Sequence, residues 1–159
     1  GRDEVLVTPE DIVNAIKKEI VDDEEFVTSF TVWTASSSSK EIVRYILRKI
    51  HYHCDDRREL NLNNMEVHIE HIMPQDSSKW HIDDETREKY IWRLGNLALL
   101  SGPKNESIAN NICEEKKEDY ANSEICPNRE IAKNETWGVE EIEARQTKFA
   151  AFAKNIWNK

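Results

Sequence analysis

The stretch from Val67 to Gln75, VHIEHIMPQ, sets two histidines and a glutamate among apolar residues and closes on Pro74. Glu70 is a hard oxygen ligand of the kind that suits Mg²⁺ or Mn²⁺. His71, beside it, carries an imidazole that titrates near neutrality, which is what a general base needs. Two further segments carry amides: Gly95-Asn96 in LGNLALL and Asn105 in PKNES. Asn96 follows His71 by 25 residues, and Asn105 follows Asn96 by nine. Brought together, these groups could hold one divalent ion beside a base, the equipment for metal-assisted hydrolysis.

Their convergence depends on the elements that carry them. VHIEHI alternates like a strand, and LALL is a short apolar run between glycines whose length and flanks favour a second strand. Paired as an antiparallel hairpin, the two would put His71 at the end of the first strand and Asn96 at the start of the second. KNESIANN would open the next helix with Asn105 on its first turn. The product is a strand–strand–helix unit around one metal. Pro74 has no ladder donor, so it ends the first strand just past His71 and leaves the imidazole facing an open cleft.

Helices surround this unit. TPEDIVNAIKKEI has Thr8 as N-cap and Pro9 at the first helical position, with Ile12, Val13, Ile16 and Ile20 on one stripe. DEEFVTSFTVW is a shorter candidate. The serine run 36–39 reads as a loop before KEIVRYILRKIHYH, whose apolar face is expected to hold Ile42, Tyr45, Ile46, Lys49 and Ile50. SKWHIDDETREKYIWRL is a helix capped by Asp83 or Asp84, and EEKKEDY lies in another. GVEEIEARQTKFAAFAKNIW carries a stripe of Ile142, Arg145, Phe149, Phe152, Ala153, Ile156 and Trp157, which suits core scaffolding. The fold class expected is α+β and mainly helical, with a short two-stranded ββα motif embedded in a helical shell. The chain reads as one domain: a helical N-terminal part over 1–60, the ββα core over 66–120, and C-terminal helices over 128–159.

The motifs IEHIMPQ, LGNLALLS, Asn105 and EEKKEDYANS, with a closing Trp137, Ile142 and Arg145, resemble the HNH, or ββα-metal, nuclease superfamily. Within it they are similar to the HNH-type C-terminal domain of GmrSD-like type IV, modification-dependent restriction enzymes of phage defence. The resemblance implies a DNA endonuclease that nicks or cleaves, needs Mg²⁺ or Mn²⁺, and leaves 5′-phosphate and 3′-hydroxyl ends. It further implies a nucleotide-binding module on the same polypeptide or a partner subunit. On this reading His71 takes the proton from water, Glu70 and Asn105 bind the metal, and Asn96 pins the loop carrying His71 and orients its ring. Zinc-stabilised HNH proteins carry paired cysteines around the second strand. LLSGPKN has none, so the helical shell is expected to brace the motif without structural zinc.

Each of these residues also has a plain structural reading: His71 as a surface strand residue, Glu70 as a solvated carboxylate, Asn96 as a turn former and Asn105 as an N-cap. His68 could be a second ligand or a solvent-facing strand residue. Lys104, Lys116 and Lys117 could contact phosphates, although a charge run such as EEKKED is usually a solvated helix face. The HIEH spacing does not match a metalloprotease HExxH helix.

Composition narrows the class further. The chain has 159 residues, 38% hydrophobic and 33% charged, with four glycines and four prolines, a polar and helix-rich balance. Its net charge of −9 speaks against broad nucleic-acid binding by this piece alone, since phosphate contacts need Lys and Arg. That charge also supports the alternative, a catalytically inactive helical interaction or regulatory module of a defence protein. Cys54, Cys113 and Cys126 are odd in number and widely spaced, which predicts reduced thiols in a cytoplasmic protein. No apolar run suits a membrane span. Gly1 in place of an initiator Met points to a piece of a longer polypeptide, and no Walker-type Gly-rich loop is present.

Overall fold

A computed structural model describes residues 8–11, 14, 22–54, 67–75, 82–101 and 114–157. Thr8 caps the first described turn: its hydroxyl accepts from Asp11 N, and Asp11 returns a carboxylate to Thr8 N. The stripe of Ile12, Val13, Ile16 and Ile20 lies outside the described residues.

Five α-helices and two strands follow among the described residues. Helix α1 spans Asp23–Val32, with Asp22 as N-cap accepting from Glu25 N. Helix α2 spans Lys40–Cys54. Strand β1 is Val67–His71, α3 is Asp84–Tyr90 with Asp83 as its cap, and β2 is Leu97–Ser101. Helix α4 spans Glu114–Ala121 and α5 spans Val139–Trp157. The architecture is α+β and mainly helical, with one two-stranded antiparallel sheet.

The sheet register pairs Val67 with Ser101, Ile69 with Leu99, Glu70 with Ala98 and His71 with Leu97. Directly opposed residues share a face, and successive residues alternate between faces. Leu97 and Leu99 therefore enter one core, with Val43, Leu47, Ile50, Ile125 and Phe149. Ala98 enters a second core, with Ile72, Met73, Tyr120, Ile131, Trp137 and Ile142. The hairpin is covered on both faces, which explains why LALL is apolar at every position rather than alternating.

Two expectations change. The buried stripe of α2 is Val43, Leu47, Ile50 and His51, whereas Ile42 and Tyr45 are more than half exposed. The helix is rotated from the face Ile42 and Tyr45 suggested, because Val43 and Leu47 supply a tighter i, i+4 ridge for α5 and the sheet. Cys54 and Cys126 are also not free thiols. They form a disulfide with Cα atoms 6.3 Å apart, joining the end of α2 to the turn Cys126–Asn128. Their separation of 72 residues hid the pairing from sequence reading. Cys113 lies outside the described residues. Among the described residues no helix is long and apolar enough to cross a membrane.

Candidate functional site

Asn96 closes a 3₁₀ turn, Leu94–Asn96, immediately before β2 and is fully buried. Its Oδ1 accepts from Met73 N at 2.8 Å and from Trp137 Nε1 at 3.2 Å. Its Nδ2 donates to Met73 O and to Ile91 O, both at 3.1 Å. The amide orientation is unambiguous, because a backbone N–H can only donate and a carbonyl can only accept. The backbone of Asn96 adds a bond from Ile72 N to its carbonyl at 2.9 Å. One residue thus ties the segment just after β1 to the segment just before β2.

The long C-terminal helix holds this turn from outside. A Cβ on Gly95 would come within 2.1 Å of Ile142 O, so only glycine lets α5 approach so closely. Arg145 is buried and donates to Gly95 O at 2.9 Å and to Leu97 O at 2.7 Å, on either side of Asn96. Burial pulls its guanidinium down to about 10, still charged at neutral pH. Gln146 is also fully buried. Its Oε1 accepts from Gly95 N and from Arg93 Nε, each at 3.1 Å, and its Nε2 donates to Phe30 O and Trp33 O. Arg145 and Gln146 therefore read the turn's backbone with side chains of α5. Gln146 was missed in the sequence; the available signal was an uncharged polar residue inside an apolar helical stripe.

His71 ends β1. Its Nδ1 lies 2.9 Å from Ile91 O, the carbonyl that also accepts from Asn96. A carbonyl has no proton to give, so Nδ1 carries the hydrogen and the neutral ring presents its lone pair at Nε2. Gln75 Nε2 stands 3.4 Å from that atom on the exposed side, a weak contact. The ring packs edge-on against Trp92, with centroids 4.5 Å apart and planes at 85°. Burial lowers the pKa of His71 and the Lys40 ammonium adds to this; the Ile91 hydrogen bond and the Glu70 carboxylate oppose it. The lowering prevails, so the imidazole is neutral and basic at neutral pH.

Glu70 points to the other face of the hairpin, as strand alternation requires. Its Oε1 accepts from Lys116 Nζ on α4 at 3.0 Å, with side chains 19% and 6% exposed. Lys116 therefore does not lie on the solvated helix face expected of EEKKED; Lys117, its neighbour, is half-buried. Tyr120, one turn after Lys116, has a buried hydroxyl with no hydrogen-bond partner among the described residues. Burial, then the charge of Glu70, raises its pKa. His68 shares the face of Glu70 and is half-buried. Asn105 and Lys104 lie outside the described residues.

The structure thus brings Glu70, His71, Asn96 and Lys116 to one end of the hairpin. Among the described residues no group of three or more His, Cys, Asp or Glu could cage a metal. One carboxylate does fit an ion of the Mg²⁺ type, which takes one or two protein carboxylates and fills its shell with water and substrate phosphate.

A family model described as GmrSD restriction endonucleases, C-terminal domain, matches residues 20–152. No curated protein and no solved structure matches the chain. The match covers well over half of the sequence, includes both strands and reaches from α1 into α5. The chain belongs to this family.

Proposed function

We propose that this GmrSD C-terminal domain is a metal-dependent DNA endonuclease of the HNH type, with His71 as the base that activates water for phosphodiester hydrolysis. The observation that carries the reading is the tautomer of His71. The Ile91 carbonyl holds Nδ1–H, so the lone pair at Nε2 sits on the exposed side of the ring. A depressed pKa keeps that lone pair available at neutral pH.

The remaining residues divide the work. Nε2 of His71 accepts the proton as water attacks phosphorus. Asn96 holds the Ile91 carbonyl and the backbone of Met73, which keeps the imidazole in its tautomer and rotamer. Glu70 would bind the divalent ion, joined by Asn105. The ion, when bound, supplies charge neutralisation at the phosphate and at the leaving oxygen. Lys104 and Lys117 are the phosphate contacts on this reading. The substrate is DNA of modified phage type, delivered by a nucleotide-binding module on the same polypeptide or a partner subunit. Such delivery offsets the net charge of −9, which disfavours DNA binding by this domain alone.

The test is plasmid cleavage by wild type and His71→Ala, each with Mn²⁺ and with EDTA. The expected result is nicking only by wild type with metal, with the variant folded and its rate down by about 10²-fold or more. Equal background from both proteins would sink the catalytic reading. It would favour the inactive interaction module that the acidic charge also suits.

A further inference from the structure

Lys116 is an expensive residue where it stands. A lysine with a 6% exposed side chain has lost nearly all its water, and its ammonium is matched by Glu70 at 3.0 Å. Such pairs contribute little net stability, because desolvation consumes most of the attraction, and an apolar residue of similar volume would often serve as well. The packing of the second core therefore does not explain a lysine at this position.

The surroundings show what the ammonium does there. Lys116 and Tyr120 are one turn apart on α4 and face Glu70 on β1. The Tyr120 hydroxyl is buried without a partner among the described residues. A cavity of about 30 Å³ lies between Ile72, Lys116, Tyr120 and Trp137, room enough for water beside the lysine and the tyrosine. The ammonium of Lys116 thus stands between the Glu70 carboxylate, 3.0 Å away, and a small cavity that Tyr120 also lines.

We propose that Lys116 is the resident counter-cation of Glu70, holding the carboxylate in the ion-free protein and competing with the divalent cation for it. The inference rests on the reading of Glu70 as a metal ligand. Glu70 is already neutralised by an ammonium, so an incoming ion must displace or share that position and then tolerate a positive neighbour. The free domain loads metal weakly as a result. A substrate phosphate, which can accept the released ammonium, makes loading easier, so the ion is taken up together with nucleic acid. Lys116 is thus a positioning residue rather than a group that touches the reacting atoms in the resting protein.

Mn²⁺ binding, followed by electron paramagnetic resonance of the free ion without nucleic acid, tests this on the full chain. Lys116→Met should bind Mn²⁺ about tenfold more tightly than wild type, a figure discounted for screening. Lys116→Arg should stay at the wild-type affinity, and Glu70→Gln should lose binding. A folded Lys116→Met that binds no more tightly, beside a Glu70→Gln that has lost the ion, overturns this inference and leaves the metal reading intact. A Glu70→Gln that binds as wild type removes both. Should Lys116→Met fail to fold, labelling of wild type decides. Acylation of Lys116 by an amine-reactive ester, read by peptide mass, should rise several-fold at saturating Mn²⁺. Unchanged labelling overturns the proposal.

Discussion

Replacing Asn96 by alanine tests the part of the site that is most fully described. The substitution strands three buried groups: Met73 N–H, Met73 C=O and the Trp137 indole N–H. The Ile91 carbonyl is spared because His71 still donates to it. Each stranded group costs about 1–3 kcal/mol, and water entering the vacated space offsets part of that. The expected loss is about 3–5 kcal/mol, read as a guanidinium midpoint shift and as a Tm lowered by roughly 10 °C. Asn96→Asp sharpens the test. Its carboxylate keeps the two donors on Oδ1 but turns a second oxygen toward the carbonyls of Met73 and Ile91. Repulsion raises the folded-state pKa of this Asp above its unfolded value, so the folded state binds the extra proton. The deficit relative to wild type should be largest at neutral pH and shrink as pH falls through the folded pKa toward the unfolded one. A loss under about 1 kcal/mol for the alanine variant, or an aspartate variant as stable as wild type at neutral pH, would refute the network.

Four other outcomes follow from the structure. The acid limb of the cleavage rate should lie below the ordinary histidine value of 6.5, because burial lowers the pKa of His71. Since the unfolded state then binds more protons, the stability His71 contributes is present above 6.5 and lost as pH falls through its folded pKa, which urea unfolding across that window would measure. Gly95→Ala should destabilise by about 3 kcal/mol or more, since the new Cβ meets the backbone of α5 at 2.1 Å and cannot be relieved by rotating a side chain. Cys54→Ser, or reductant, should remove about 4 kcal/mol by chain entropy, because the disulfide closes a loop of 72 residues; calorimetry with and without dithiothreitol checks this.

Much of this arrangement was legible in the sequence because it is local. Alternation identified β1, the glycine-flanked apolar run identified β2, and Asp83 and Thr8 carried their cap signals in plain view. Even the meeting of His71 with the start of β2 needed only that two adjacent short strands pair antiparallel. What escaped was long-range and polar. Gln146 bonds residues more than fifty positions away, the Glu70–Lys116 pair spans 46, and the disulfide spans 72. Periodicity carries no information about such partners. The charge run EEKKED illustrates the limit: composition places it in solvent, yet its first lysine is drawn inward, where its ammonium meets the carboxylate of Glu70 on β1. The rotation of α2 is the same failure in apolar form, since choosing among Ile42, Val43 and Ile46 requires knowing what the helix meets.

Glu70 and His71 are consecutive on a strand and therefore face opposite ways, His71 toward Trp92 and Glu70 toward Lys116. They cannot crowd one face, which would be a defect if both had to bind the same atom. On the proposed reading they do not. In an in-line displacement at phosphorus the attacking and leaving oxygens stand on opposite sides, so a base is wanted on one side and a cation site on the other. On that reading the phosphate would approach the end of β1 at His71, where Asn96 fixes the backbone just beyond it. The order of residues in IEHIMP then has a physical cause. Separating the two groups by an even number of positions would place them on the same face, where the carboxylate's charge would raise the imidazole's pKa more strongly and leave less of the base free at neutral pH.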